Sequence, residues 1–404
     1  MKIAVISQSY PPMVSGAAIV ARGLAEQMAQ RGHQVLVLTS SDRPTTYVER
    51  SSNLVVQRLP SYRNPLRVNQ RFTLWPHQEI SAALAGFAPQ VIHTHDPLQM
   101  AWSALLYARR AGVPVALTIH QLPWTLKYYL PEAAALQELV QQTAWAYSRW
   151  LLRRFQALVT PTGTIADEVQ RHTGLAPWVI GFGVDPAVFH PGPLAPEQAS
   201  RWRLQFGIPE GAAVLLHVGR LDKDKHVERV LQAAASVSTG AQPAHLLVVG
   251  DGTEKASLVR LSQQLQIAGR CHFPGFIAHQ PDLAEIYRLA AAFVTASECE
   301  TQGLVLLEAA ASGLPIAAVS ATCIPEIVHP GINGWLAAPG DIADLGRCMR
   351  RLLTCPQEAQ ALGQASRKIA LELTLQKTVG DYERFYQELR QASRSPALLQ
   401  GAAW

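Results

Sequence analysis

Short apolar runs alternate with longer amphipathic stretches along this chain, and the alternation predicts two parallel α/β sheets in series. Residues 3–7, 34–39, 91–94, 115–119 and 157–160 read as buried strands, separated by helical stretches such as 19–31 and 98–111. Gly32-His33 and Gly112-Val113-Pro114 supply the stops between them. A second series begins at 213–218 and continues through 246–249, 271–273, 293–296 and 315–319. Each series has the pattern of a doubly wound parallel sheet. Between them lies the proline-rich segment 190–196, which cannot continue a ladder and is expected to be the hinge. The expected domains are therefore 1–190 and 191–374, followed by a helix over 375–392 and a loose tail from Ser393.

Ligands of open parallel sheets bind at the carboxyl ends of the strands. The segment Ser297-Glu298-Cys299-Glu300-Thr301-Gln302-Gly303-Leu304-Val305-Leu306-Leu307-Glu308 follows such an end. Its apolar run from Leu304 to Ala311 is helix material, so Glu308 rides on a helix and Glu300 sits in the loop before it. A glycine opening a helix exposes backbone N–H groups that attract phosphate. Ionised carboxylates only accept hydrogen bonds, and sugar and ribose hydroxyls donate them. Phosphate donors beside carboxylate acceptors suit a nucleotide sugar.

These residues resemble the signature of the retaining glycosyltransferases of the family 4 type, whose GT-B fold has two Rossmann-like doubly wound domains facing a cleft. The resemblance covers nearly the whole chain. Tyr10-Pro11-Pro12-Met13-Val14-Ser15-Gly16 is similar to the family's first glycine-rich loop. In family order follow His93-Thr94-His95-Asp96-Pro97, Leu117-Thr118-Ile119-His120, Gly183-Val184-Asp185 with Phe189 and Pro191, and Gly219-Arg220-Leu221 with Lys225. Two departures stand out. Ser15-Gly16 replaces a common pair of glycines, and Phe182 stands where Asn or Arg usually precedes Gly-Val-Asp.

The resemblance implies roles residue by residue. His120 and Glu300 are the catalytic candidates, with Glu300 holding the transferring sugar and His120 at the reacting centre. Arg220 and Lys225 would neutralise the diphosphate. Gln302, Gly303, Leu304 and Val305 would offer backbone N–H groups, Glu308 would hold the ribose, and Gly16 would allow close approach of the first loop. The C-terminal helix, about 375–404, would return to the first domain, which binds the acceptor, while the second binds the nucleotide sugar.

The donor would be a nucleotide sugar such as UDP-glucose or GDP-mannose, with no cofactor and no metal. Asp222-Lys223-Asp224 matches the metal-binding Asp-x-Asp pattern of other glycosyltransferases, but it lies inside the cationic loop, where Lys223 and Lys225 compete for its carboxylates. His93 and His95, two apart on a strand, share a face without further ligands in view. Gly250-Asp251-Gly252 lacks a third glycine and reads first as a strand-to-helix turn.

Glu-Thr-Gln-Gly, with the aromatic stretch 120–130, resembles the branch that includes bacterial diacylglycerol glucosyltransferases. Tyr10, Trp124, Tyr128 and Tyr129 are the acceptor-side candidates, and Trp124 and Tyr129 could equally fill a core between helices. A lipid acceptor, a soluble glycan or a small-molecule acceptor all stay open, as do a nucleotide-sugar epimerase and a non-catalytic nucleotide-sugar binder.

Charge sharpens one of these choices. The chain has 404 residues and a net charge of +5, with 16 Lys and Arg against 10 Asp and Glu in residues 1–190 but 19 against 20 in the rest. The basic excess lies in the first half, where dispersed arginines fit an anionic membrane surface, an acidic acceptor or plain solvation rather than nucleic acid. No run approaches ~18 uninterrupted apolar residues, and the N-terminal strand has no cleavage site, so a cytoplasmic protein, or one peripheral to the inner membrane face, is expected. Five scattered cysteines without a Cys-x-x-Cys pair argue against a disulfide framework or zinc site.

Overall fold

The computed structural model describes residues 1–13, 15–63, 71–131, 133–237, 244–278 and 280–394. Val14 of the first loop and the tail beyond 394 lie outside the described residues. The chain divides into two units, Met1–Phe182 with the segment from Leu375, and Gly183–Thr374.

The first unit is built on β1 (Lys2–Ile6), β2 (Gln34–Ser40), β3 (Tyr47–Ser51), β4 (Leu54–Leu59), the small pair β5 (Tyr62–Arg63) and β6 (Arg71–Phe72), then β7 (Val91–Thr94), β8 (Val115–Thr118), β9 (Ala157–Thr160) and β10 (Trp178–Val179). Its main sheet runs β10-β9-β8-β7-β1-β2-β4-β3. All neighbours are parallel except β3 and β4, an antiparallel hairpin at the edge. Continuous apolar strands such as Ile3-Ala4-Val5-Ile6 are needed because both faces are covered. Ala4 and Ile6 join one core with helices α2 (His77–Phe87), α3 (Gln99–Ala111), α4 (Ala134–Leu152) and α5 (Gly163–Thr173). Ile3 and Val5 join the other, with α1 (Gly16–Gln30).

The second unit carries α6 (Pro196–Phe206), β11 (Val214–Val218), α7 (Val227–Ala235), β12 (His245–Val249), α8 (Lys255–Gln264), β13 (Cys271–Gly275), α9 (Gln280–Leu289), β14 (Ala292–Val294), α10 (Leu304–Ala311), β15 (Ile316–Val319), β16 (Gly334–Ala337), α11 (Ile342–Thr354) and α12 (Pro356–Leu371). Its sheet is wholly parallel, in the order β13-β12-β11-β14-β15-β16. The last helix, α13 (Leu375–Arg394), belongs to the first unit. Its Val379, Tyr382, Phe385, Tyr386 and Leu389 pack into the core beside α1, and Glu383 accepts from His33 at 2.7 Å and pairs with Arg31.

The division falls at Phe182/Gly183, ahead of the proline-rich segment expected to be the hinge. Val184 already belongs to the second unit, where its N–H bonds the Leu373 carbonyl at 3.0 Å. Phe189 is buried in the second core, edge-on to Tyr287 at 5.6 Å. Pro191 is packed so closely on Gly313 that a Cβ there would stand 2.7 Å from it. These contacts tie Val184, Phe189 and Pro191 to the second unit, so the chain has entered that unit before the proline-rich segment begins. Four of the cysteines are buried and Cys355 is exposed, and all five are reduced thiols.

Candidate active site

In the second unit the chemistry collects at the carboxyl ends of β11, β12, β14 and β15. After β11 the chain turns at Gly219 and presents Arg220, whose guanidinium is gripped on both branches: Nη1 by Asp222 and Nη2 by Asp224 at 2.9 Å. Asp222 also accepts from the Thr253 N–H at 3.0 Å and from its hydroxyl at 3.1 Å. The Asp-x-Asp carboxylates thus orient Arg220 and tie its loop to the turn after β12. That turn needs glycine. A Cβ on Gly250 would lie 1.8 Å from the Gly219 carbonyl oxygen, and one on Gly252 2.4 Å from that of Leu221. The Gly-x-Gly therefore buttresses the Arg220 loop.

Lys225 comes next and reaches the loop after β14. Its ammonium donates to Glu300 Oε1 at 2.6 Å and to the Cys299 carbonyl at 3.2 Å, with Asp224 at 3.8 Å. Burial alone would lower the Lys225 pKa, but Glu300 and Asp224 outweigh burial and hold the ammonium charged. The Ser297 hydroxyl also donates to Glu300 Oε1, at 2.8 Å. Both bonds fall on one oxygen, so Oε2 keeps acceptor capacity for substrate hydroxyls. The backbone N–H of Glu300 is held by the Thr322 hydroxyl at 3.3 Å. Thr322, in the loop after β15, adopts φ 45°, a left-handed conformation costly for a β-branched residue.

Gln302 is buried, and Gly303, at φ 81°, caps the N-terminus of α10. Leu304 and Val305 occupy the first helical positions, where the helix itself offers their N–H groups no acceptor. Glu308 stands in the same helix, buried, and takes a 2.9 Å hydrogen bond from the Tyr287 hydroxyl of α9. Burial raises the Glu308 pKa to about 7, and the Tyr287 bond only partly offsets this. The structure thus places one carboxylate in the loop beside a cation and the other on the helix among apolar groups.

His217, in β11, completes this floor, and nothing in the sequence reading singled it out. Its Nδ1–H donates to the Val294 carbonyl at 3.0 Å, and burial lowers its pKa to about 4. A strand with His as its penultimate residue, running directly into Gly219-Arg220, is the signal that was available.

The first unit holds the remaining candidates. His120, at the end of β8, stacks on Phe182 at 5.0 Å and on His95 at 5.2 Å. Its Nε2 lies 2.9 Å from His95 Nδ1. Burial depresses the pKa of His120 and of His95, so both rings are neutral. The tautomers follow from hydrogen-bond accounting. His95 Nε2 is buried without a partner among the described residues, and an orphaned lone pair costs less than an orphaned N–H. His95 therefore carries its proton on Nδ1 and donates to His120 Nε2. Phe182, the departure from the family pattern, is the wall against which His120 is held. His93 is spoken for: its nitrogens meet Tyr386 Oη at 2.6 Å and Thr118 Oγ1 at 2.7 Å.

Gly16 is the exposed first residue of α1, and Ser15 caps that helix by accepting from the Ala18 N–H at 3.1 Å. The serine in place of glycine is thus a helix cap. Tyr10 is buried in the core with the Arg58 guanidinium 5.7 Å from its ring. Residues Pro123–Tyr129 form a 3₁₀ turn. In it Trp124 is half-buried against the core, Tyr128 lies under Lys127 at 4.8 Å, and Tyr129 is exposed.

Two parallel-sheet α/β units, one with cations and carboxylates gathered at its strand ends, have the architecture of the GT-B class. Residues 14–188 match the model described as Glycosyltransferase Family 4, and residues 198–369 match Glycosyl transferases group 1. The chain is 30% identical to glycogen synthase of Mycobacterium tuberculosis over 399 residues, 91% of this chain and 90% of the relative. It is 28% identical to alpha-monoglucosyldiacylglycerol synthase of Streptococcus pneumoniae over 338 residues, 83% and 75% respectively. Sucrose-phosphate synthase from Thermosynechococcus elongatus superposes with a TM-score of 0.81 at 24% identity, covering 97% of this chain and all of that one. Anabaena Alr3699/HepE in complex with UDP-glucose superposes with a TM-score of 0.75 at 19% identity, covering 96% and 100%. The chain belongs to the family 4 glycosyltransferases of the GT-B fold and is a nucleotide-sugar-dependent glycosyltransferase. That membership sets aside the epimerase and the non-catalytic binder.

Proposed function

We propose that the chain is a retaining, metal-independent hexosyltransferase that moves a hexose from a nucleotide diphosphate sugar to the hydroxyl of a membrane lipid. The observation that carries this reading is the Lys225–Glu300 pair beside the glycine-capped start of α10. Lys225 and the clamped Arg220 supply fixed positive charge where the diphosphate departs, which is the main electrostatic work of the reaction. With Asp222 and Asp224 committed to Arg220, these cations do what a divalent ion would do. Glu300 Oε2 accepts from hydroxyls of the transferring sugar, and Glu308 accepts from the ribose. His120, by the likeness to the family, stands at the reacting centre.

UDP-glucose and GDP-mannose are the donor types, the former supported by the complex of the Anabaena neighbour. Both sugars are α-linked to their nucleotide, so an α product, as the pneumococcal relative's name specifies, means retention. The same relative supports a diacylglycerol-like acceptor. The glycogen synthase relative favours a second reading, a soluble glycan acceptor.

A thermal-shift screen of nucleotide sugars in EDTA tests the donor half of this reading. A ligand at ~100 times its Kd stabilises by about 2.7 kcal/mol, a shift that Glu308→Ala should abolish for the cognate donor. The shift should also grow as pH rises through about 7, because ribose hydroxyls need the ionised carboxylate. The unliganded protein should do the opposite. Its Glu308 binds a proton more tightly folded than unfolded, so this contribution to stability is full below the unfolded pKa and is lost as pH rises through about 7. If no nucleotide sugar stabilises the protein until magnesium is added, metal independence falls.

A further inference from the structure

The outer face of α4 is apolar where a solvated helix would be polar. Leu136, Leu139, Thr143, Tyr147, Trp150 and Arg154 follow at steps of three or four residues and so share one stripe. Leu139 is 61% exposed, Trp150 48% and Tyr147 47%, while the opposite face buries Trp145, Leu151 and Leu152. Helix α3 widens the stripe. Trp102 packs on Trp150 at 5.1 Å and donates to the Tyr147 hydroxyl at 3.3 Å, and the Arg154 guanidinium lies 3.9 Å from the Trp150 ring. Leu98 and Leu106, four residues to either side of Trp102, are also exposed. An open cavity of about 330 Å³ runs beside them, lined by Leu106, Arg109 and Arg154 among others. Contiguous apolar surface of this kind marks an interaction site.

Charge selects the partner. Within α3, the 3₁₀ turn, and α4 with the two residues after it stand Arg109, Arg110, Lys127, Arg149, Arg153 and Arg154, against the single carboxylate Glu138. Tryptophan and tyrosine beside arginines suit the boundary between lipid headgroups and acyl chains, where an amphipathic helix lies in the plane of the surface. The face also adjoins the candidate chemistry of its own unit. Tyr147 and Ser148 line a small cavity, of about 50 Å³, together with His120. Among the described residues no helix is long and apolar enough to cross a membrane, so a surface contact is the mode this face offers.

We infer that the α3–α4 face docks on an anionic lipid bilayer, with Trp102, Tyr147 and Trp150 at the headgroup boundary and Arg110 and Arg153 on lipid phosphates. The inference deepens the lipid-acceptor reading, since a docked bilayer would present its lipids beside His120. It puts the contact on the exposed Trp150 and Tyr147, with Trp102, half-buried like Trp124, packed beside them.

Co-sedimentation of the full chain with phosphatidylglycerol/phosphatidylcholine vesicles, and with phosphatidylcholine alone, tests it. Binding should require phosphatidylglycerol and weaken with salt, because exposed charges act over about one Debye length, ~8 Å at physiological ionic strength. The double variants Trp150→Ser with Tyr147→Ser, and Arg110→Gln with Arg153→Gln, should each lower the partition coefficient roughly tenfold or more. Their circular dichroism should remain that of the wild type, as should the Tm of the arginine pair, and both variants should keep their stabilisation by the cognate nucleotide sugar. That last measurement separates this idea from the enzymatic one, for vesicle binding without donor binding would uphold the docking face and sink the donor site. Absence of binding to anionic vesicles at low salt, or binding unchanged in both variants, overturns the proposal. So does a concentration-dependent dimer that Trp150→Ser dissolves without any vesicle binding, which would assign the face to a second copy of the chain.

Discussion

Glu300→Gln is expected to lower turnover by about 10²-fold or more while leaving the affinity for free nucleotide diphosphate within about threefold. The magnitude is that of removing one preorganised electrostatic contact from a reacting centre. The asymmetry follows from position. Glu300 sits in the loop with Oε2 directed to sugar hydroxyls in our reading, and a free nucleotide diphosphate has no sugar there to lose. Glutamine keeps the shape and can still accept from Ser297, but it no longer carries the charge that balances Lys225. Glu308→Ala should behave in reverse, weakening the nucleotide more than it slows the chemical step. Steady-state kinetics together with calorimetric binding of the nucleotide diphosphate read both effects. Equal losses of nucleotide affinity in the two variants would contradict the division of labour.

Lys225→Ala should be worse, lowering kcat/KM by about 10³-fold and raising the donor KM as well, because a phosphate-site cation acts on bound substrate and transition state together. Part of the damage is to stability. The ammonium is largely buried between Glu300 and Asp224, and removing one partner of a buried pair leaves the other charge uncompensated, at a cost of up to about 3 kcal/mol. A Tm measured beside the kinetics separates the two, and Lys225→Met, which keeps the packing of the stem, should recover part of the Tm and none of the rate. A variant with wild-type KM for the donor would remove Lys225 from the diphosphate site.

Much of this site was legible in the sequence because its parts are local. A glycine, a helical run and two carboxylates seven apart placed Glu300 in a loop and Glu308 on α10, and the helix forms over Leu304–Ala311. The strand-end loops of Arg220 and His120 were legible for the same reason, since parallel strands bring their carboxyl ends to one edge. Contacts made across long stretches of chain were not. Tyr287, which donates to Glu308, lies on another helix, and Tyr386, which holds His93, is 293 residues away from it. His217 was passed over because one histidine in an apolar strand gives no periodic signal. The division into units falls ahead of residue 190, which was not legible because prolines 191, 193 and 196 mark where a ladder cannot continue, yet say nothing about which core their neighbours pack into. Phe189 settles that by entering the second one. The aromatic residues of α4 show the converse limit. Tyr147 and Trp150 have the spacing of core residues, and only the structure shows that Trp145 takes the inward face.

The central claim, a retaining transfer carried by protein cations alone, is tested most directly by the product itself. The donor selected by the thermal-shift screen is incubated in EDTA with diacylglycerol in mixed micelles, and the anomeric proton of the glycolipid is recorded by NMR. The account predicts an α-linked product, formed at the same rate with and without chelator. A β-linked product, or transfer that stops in EDTA and returns with magnesium, would contradict it.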